Sequence, residues 1–202
     1  MHSFELYMPT RLVYGADSIE KLAAAVAPYG KRALITYGGG SVVRSGLLDR
    51  VKKALTGFEV VEFSGIEPNP RVSSVNAAAK LAREQKADFI VAVGGGSVID
   101  ASKAIAAAVK YEGDAWDLVK DGSLIKDALP LFSVLTLAAT GSEYDAPGVI
   151  SNMQTNEKQA ISSPLLFPKA SFCDPSVSVV FRHGTLQRAL PTSCRTRLNS
   201  IW

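Results

Sequence analysis

Residues Phe89–Ala108, FIVAVGGGSVIDASKAIAAA, constrain the fold more than any other stretch of this chain. The apolar, largely β-branched run Phe89-Ile90-Val91-Ala92-Val93 has the composition of a strand buried on both faces of a parallel sheet. Gly94, Gly95, Gly96 and Ser97 follow, and after them comes an alanine-rich segment of helical composition. Glycines lack a Cβ, so a ligand can come close to the main chain and several amides can point at one anion. The unpaired N–H groups and the dipole of the following helix favour a phosphate at the same place. Strand, glycine turn and helix together predict a nucleotide pyrophosphate site; the alternative is a glycine turn that serves packing alone. The spacing is not G-x-G-x-x-G, so that dinucleotide fingerprint does not apply.

The same unit recurs along the chain. Arg11–Tyr14 is strand-like, and Asp17-x-x-Glu20 resembles a capping box ahead of a helix whose apolar face is Ile19, Leu22, Ala23 and Val26. Gly30 ends that helix, and the strand Ala33–Thr36 runs into a second cluster, Gly38-Gly39-Gly40-Ser41. A helix over 46–55 and a strand over 58–63 complete a further βα repeat. Glu67-Pro68-Asn69-Pro70 reads as a loop, because proline biases its neighbours away from helix. Val72, Val75, Ala79 and Ala82 mark the helix that leads into the central strand. Tyr111–Asp127 is polar and without a clear period, and the buried strand Leu131–Leu137 enters Ala138-Ala139-Thr140-Gly141-Ser142-Glu143. This alternation predicts an α/β fold, a parallel sheet with helices on both faces. Ligands of such sheets bind beyond the carboxyl ends of the strands, where all three small-residue clusters fall.

Composition narrows the class. A 47% hydrophobic and 20% charged chain is that of a soluble globular protein, and no apolar run reaches the length of a membrane span. The first residues carry no secretion signal, and Cys173 and Cys194 form neither a disulfide framework nor a zinc pattern, so a cytoplasmic location is expected. The net charge is +3, but Arg182, Arg188, Arg195 and Arg197 lie in an acid-free tail and leave the remainder at −1. No nucleic-acid surface is expected.

Several separated motifs carry a family resemblance. GGGSVIDASKAIA, LTLAATGSE and EKQAISSPLLFPKASFCDPSV, with the opening FELYMPTRLVYGADSIEKL and the loop PNPRVSSV, resemble the iron-containing alcohol dehydrogenases. The likeness is to the NADPH-dependent, butanol-dehydrogenase-like branch and covers residues 1–180. It implies a Rossmann-like dinucleotide-binding domain followed, in the family, by a helical domain, with a divalent metal (iron or zinc) between them. The reaction implied is NAD(P)H-dependent interconversion of a small alcohol and its aldehyde; a homodimer is compatible with it. A glycerol-dehydrogenase-like relative and a catalytically inactive nucleotide-binding fragment are the alternatives.

The resemblance places Gly94, Gly95, Gly96 and Ser97 at the pyrophosphate, and Asp100 near the cofactor and the metal cleft. It also places Thr136, Thr140 and Lys158 at the cofactor. Taken by themselves these residues read as a helix-terminal carboxylate, turn hydroxyls and a solvated lysine. NAD-preferring relatives carry an acid after the second strand, whereas Gly38, Gly39, Gly40 and Ser41 offer amide and hydroxyl donors, so NADP(H) is expected over NAD(H). Lys103 reads as a surface or helix-packing residue, and Asp145 as a charge that would oppose an anionic cofactor. No catalytic residue is assigned. The family's metal ligands follow the DP motif, and with only His2 and His183 in the chain they are expected to be absent, together with the helical domain. Residues 181–202 resemble nothing in the family. Regrouping their permitted codons by one base spells SVPARHAATGTADIMSHTLEFYL, the family's continuation, so a frameshift near 177–180 is expected to have produced this tail.

Overall fold

The structure, a computed structural model, describes residues 7–178. The tail at 181–202, with His183 and Cys194, and also His2, lies outside the described residues. In chain order the elements are β1 (Arg11–Tyr14), a 3₁₀ turn (Ser18–Lys21) leading into α1 (Leu22–Val26), β2 (Arg32–Tyr37), α2 (Ser41–Arg44), α3 (Leu47–Ala54) and β3 (Glu59–Phe63). Then come α4 (Val72–Glu84), β4 (Phe89–Gly94), α5 (Gly96–Ala108), α6 (Ala115–Lys120), β5 (Leu131–Leu135), β6 (Gly148–Asn152), β7 (Glu157–Ile161), β8 (Ala170–Cys173) and α7 (Pro175–Ser178).

Six strands form one sheet in the order β1-β8-β5-β4-β2-β3, and every neighbouring pair is parallel. Strands β4 and β5, in the middle, are buried along their whole length, whereas the edge strands β1 and β3 are largely exposed or half-buried. This is the burial that the unbroken apolar runs predict for a sheet covered on both sides. On one face Ala33, Ile35, Val91, Val93 and Val134 pack against Ile19, Leu22, Val26, Leu48 and Val51 of the helical segments before and after β2. On the other, Leu34, Ile90, Ala92 and Leu131 pack against α4, α5 and α6. Phe89 joins the first layer through edge-to-face contacts with Phe58 and Phe132, at ring separations of 6.0 and 5.9 Å.

One detail differs from the sequence expectation, and three lie outside it. The Asp17 carboxylate makes no capping bond; the segment opens as a 3₁₀ turn, and Asp17 pairs with Lys21 at 3.0 Å instead. Within the polar stretch after α5, Asp114 accepts a hydrogen bond from the Trp116 amide and caps α6, which buries Ala115, Trp116, Leu118 and Val119. β6 and β7 form an antiparallel hairpin turned at Asn156, whose φ is 54°. β8 inserts between β1 and β5.

Phe89→Ala removes a fully buried ring at the centre of the first layer and should cost about 3–5 kcal/mol of unfolding free energy. Urea denaturation monitored by circular dichroism checks this; a loss under about 1 kcal/mol would show that this layer is not the packed core described.

Candidate functional site

Because all six strands run the same way, the turns that follow β2, β4 and β5 emerge on one edge of the sheet, and these three strands are immediate neighbours. Tyr37 pairs with Val93, and Gly94 with Leu135, so the turns begin at the same level. The structure therefore brings Gly38–Ser41, Gly94–Ser97 and Thr136–Ser142 side by side.

The contacts between the turns depend on missing side chains. A Cβ on Gly38 would lie 3.2 Å from the Ile66 carbonyl oxygen and 3.7 Å from Val98 Cγ2 of α5. A Cβ on Gly94 would meet Val98 Cγ2 at 2.5 Å, so a larger residue cannot precede this helix without displacing it. Gly95 faces Leu137 and Thr136, and the Thr136 amide donates to the Gly94 carbonyl at 3.0 Å. A Cβ on Gly96 would overlap the Thr140 hydroxyl. At Gly39 there is nothing within 4 Å, so one position of the cradle is open. α5 spans thirteen residues, and the amides of Gly96 and Ser97 in its first turn have no partner within the helix. Small residues, hydroxyls and free amides thus converge on one opening with the positive end of a helix dipole behind it, an arrangement fitted to an extended polyanion.

The remaining predicted residues lie on the neighbouring elements. Asp100 Oδ2 accepts from the Val149 amide at 3.0 Å, so it fastens the start of the β6–β7 hairpin to α5. Its Oδ1 and the Oε2 of Glu143 are buried without a partner. Thr140 Oγ1 lies 2.9 Å from Ser142 Oγ. Lys158, on β7, donates to Asn69 Oδ1 at 2.7 Å and so ties the hairpin to the proline-rich loop before α4. Ser41 and Gly39 are exposed at the first turn. Glu62, on the strand beside β2, is engaged by Lys52 at 2.5 Å and by the Tyr37 hydroxyl at 2.9 Å, which hold its carboxyl below the usual range.

Lys103 is the main correction. It is neither on the surface nor an ordinary packing residue: it is fully buried, and its Nζ donates to Asp145 Oδ1 at 2.8 Å and to the Pro147 carbonyl at 2.7 Å. Burial pushes the Lys103 amine below its ordinary value, while Asp145, Asp100 and Glu143 act in the opposite direction. Asp145 is accordingly turned to an internal cation. Among the described residues, no group of three or more His, Cys, Asp or Glu side chains is placed to hold a metal ion. Residues 7–178 therefore do not assemble a metal donor set. No helix among the described residues is long and apolar enough to cross a membrane.

The fold is that of a Rossmann-like α/β protein, with its candidate site at the carboxyl ends of β2, β4 and β5. The family description "Iron-containing alcohol dehydrogenase" matches residues 9–175, and the chain belongs to that family. It is 53% identical over 177 residues to the probable NADH-dependent butanol dehydrogenase 1 of Bacillus subtilis, covering 87% of this chain and 46% of that protein. It is 48% identical over 178 residues to the NADPH-dependent aldehyde reductase YqhD of Escherichia coli, with the same coverage. The crystal structure of NADH-dependent butanol dehydrogenase A from Thermotoga maritima superposes with a TM-score of 0.88 at 41% identity, over 94% of this chain and 48% of that one. The chain spans about half the length of the curated relatives it matches.

The glycine contacts predict opposite outcomes for two alanine substitutions. Gly96→Ala forces Thr140 away and should destabilise the fold by about 1–3 kcal/mol, whereas Gly39→Ala, in open space, should change stability by no more than about 0.5 kcal/mol. Chemical denaturation of both variants is the check, and equal losses would contradict the contact between the two turns.

Proposed function

We propose that this chain is the cofactor-binding part of a nicotinamide-dependent alcohol dehydrogenase, taking NADP(H) in preference to NAD(H). The observation that carries the reading is the adjacency of the three turns, with glycine at 38, 94 and 96, where a Cβ would crowd neighbouring atoms. In this reading Gly94, Gly95, Gly96 and Ser97 receive the pyrophosphate: the amides of Gly96 and Ser97 donate to its oxygens, and the dipole of α5 stabilises its charge. Thr136 and Thr140 present hydroxyls along the next stretch of the dinucleotide, with Asp100 and Lys158 at its far margin. The bound nicotinamide supplies or accepts the hydride that interconverts a small alcohol and its aldehyde. No step is assigned to a metal, because the described residues do not assemble its donors.

Cofactor preference rests on the first turn. An acid there would bond the ribose hydroxyls of NAD(H) and repel a 2′-phosphate. Gly38, Gly39, Gly40 and Ser41 contain no acid, and Glu62 on the neighbouring strand is committed to Lys52 and Tyr37. The relatives' names point both ways, NADH for the Bacillus protein and NADPH for the Escherichia one, so the proposal rests on the residues of this chain.

Fluorescence titration of the intact chain with NADPH and with NADH tests the preference. NADPH should bind at least about tenfold more tightly, and Gly39→Asp, which has room for its side chain, should reverse the order. Tighter binding of NADH by the unaltered chain would overturn the preference; binding of neither would overturn the cofactor reading.

A further inference from the structure

α5 carries one charged side chain with no solvent exposure, Lys103. Ten of the thirteen residues of this helix are buried, and the others among those ten are alanine, serine, valine or isoleucine. An apolar residue of similar volume at position 103 would avoid the cost of burying an ammonium, and replacing a buried ion pair in this way is often neutral or stabilising. The contacts of Lys103 show what the charge does instead. Its Nζ holds two points of one segment two residues apart, the Asp145 carboxylate and the Pro147 carbonyl, on either side of the buried Ala146.

That segment is continuous with the candidate site. The amides of Tyr144 and Asp145 both donate to the Gly141 carbonyl, at 2.8 and 3.1 Å, and close a turn in which Gly141 has a φ of 81°. Fixing Asp145 therefore fixes Gly141, and with it Thr140, which lies against Gly96. On the other side, Gly148 sits on the backbone of Asp100, where a Cβ would be 3.1 Å from both the Asp100 Cα and its carbonyl oxygen, and Val149 is bonded to the Asp100 carboxylate. Asp100 and Lys103, one turn apart on α5, thus hold the whole run from the third turn to the hairpin.

We infer that Lys103 is a positioning residue: through Asp145 and Pro147 it sets the placement of Thr140 against the glycine turn, and so the affinity for the part of the dinucleotide beyond the pyrophosphate. This rests on the cofactor reading above. The hydrogen bonds of Lys103 run to Asp145 and Pro147, so its effect passes through the 141–147 segment.

The experiment compares dissociation constants of the intact chain for NADPH, which spans all three turns, and for ADP, which reaches only the first two. Lys103→Met should weaken NADPH binding by about tenfold or more and leave ADP binding within about twofold, since small displacements in a supporting shell carry large costs at the site. Asp145→Ala should do the same. Asp145→Asn, which keeps an acceptor oxygen opposite Nζ, should bind NADPH at least about threefold more tightly than Asp145→Ala. Cooperative thermal melting confirms that each variant is folded; if Lys103→Met is not, the pair at Asp145, a side chain 40% exposed, decides the matter. Folded variants that bind NADPH as the unaltered chain does, or that lose ADP and NADPH in equal proportion, would overturn the inference. Absence of dinucleotide binding by the unaltered chain would instead overturn the cofactor reading on which it depends.

Discussion

Helix α5 has neighbours on every side, and the rest of the structure depends on how closely they can approach it. The sheet lies beneath it, α4 and α6 flank it, and the β6–β7 hairpin crosses over it. Such packing leaves room only for small side chains, which is why Ala101, Ala104, Ala106, Ala107 and Ala108 occupy its buried positions and glycine stands at 94, 96 and 148. The same close approach draws the turns after β2, β4 and β5 together. Thr36, buried in β2, contributes to this from below: its Oγ1 lies 2.7 Å from Ser102 Oγ, which itself bonds the Val98 carbonyl inside the helix.

The elements legible in the sequence are those whose neighbours are implied by composition. Strands β2, β4 and β5 are unbroken apolar runs because both of their faces are covered, and the glycine clusters mark their ends. β8 escapes such a reading. Ala170–Cys173 is four residues long and owes its strand conformation to β1 and β5 on its two sides, pairings made with residues about 160 and 40 positions away. The β7 half of the hairpin is exposed along most of its length, so no alternation of polar and apolar residues announces it. Asp17 has the composition of a cap but lies where the chain enters a 3₁₀ turn and a lysine is within reach.

Lys103 shows the same limit at the site. A lysine in a helix is ordinarily solvated, and nothing near it in sequence tells otherwise; its partner, Asp145, is 42 residues on. The one available signal was the helix itself, since a segment with apolar or small residues on all sides leaves no solvent face for a charge. Asp145, which the sequence presents as an isolated charge, is paired with Lys103 at 2.8 Å. On the elements next to the three turns, the half-buried Asp100 and Glu143 each keep one buried carboxylate oxygen without a partner.

The central claim is that the three turns act as one site. Assigned backbone amide spectra of the intact chain, recorded during titration with NADPH, test it most directly. Amides at 38–41, 94–97 and 136–142 should shift together and saturate at one dissociation constant, with Gly96 and Ser97 among the largest changes. Shifts confined to a single turn, or turns that saturate at different concentrations, would contradict it.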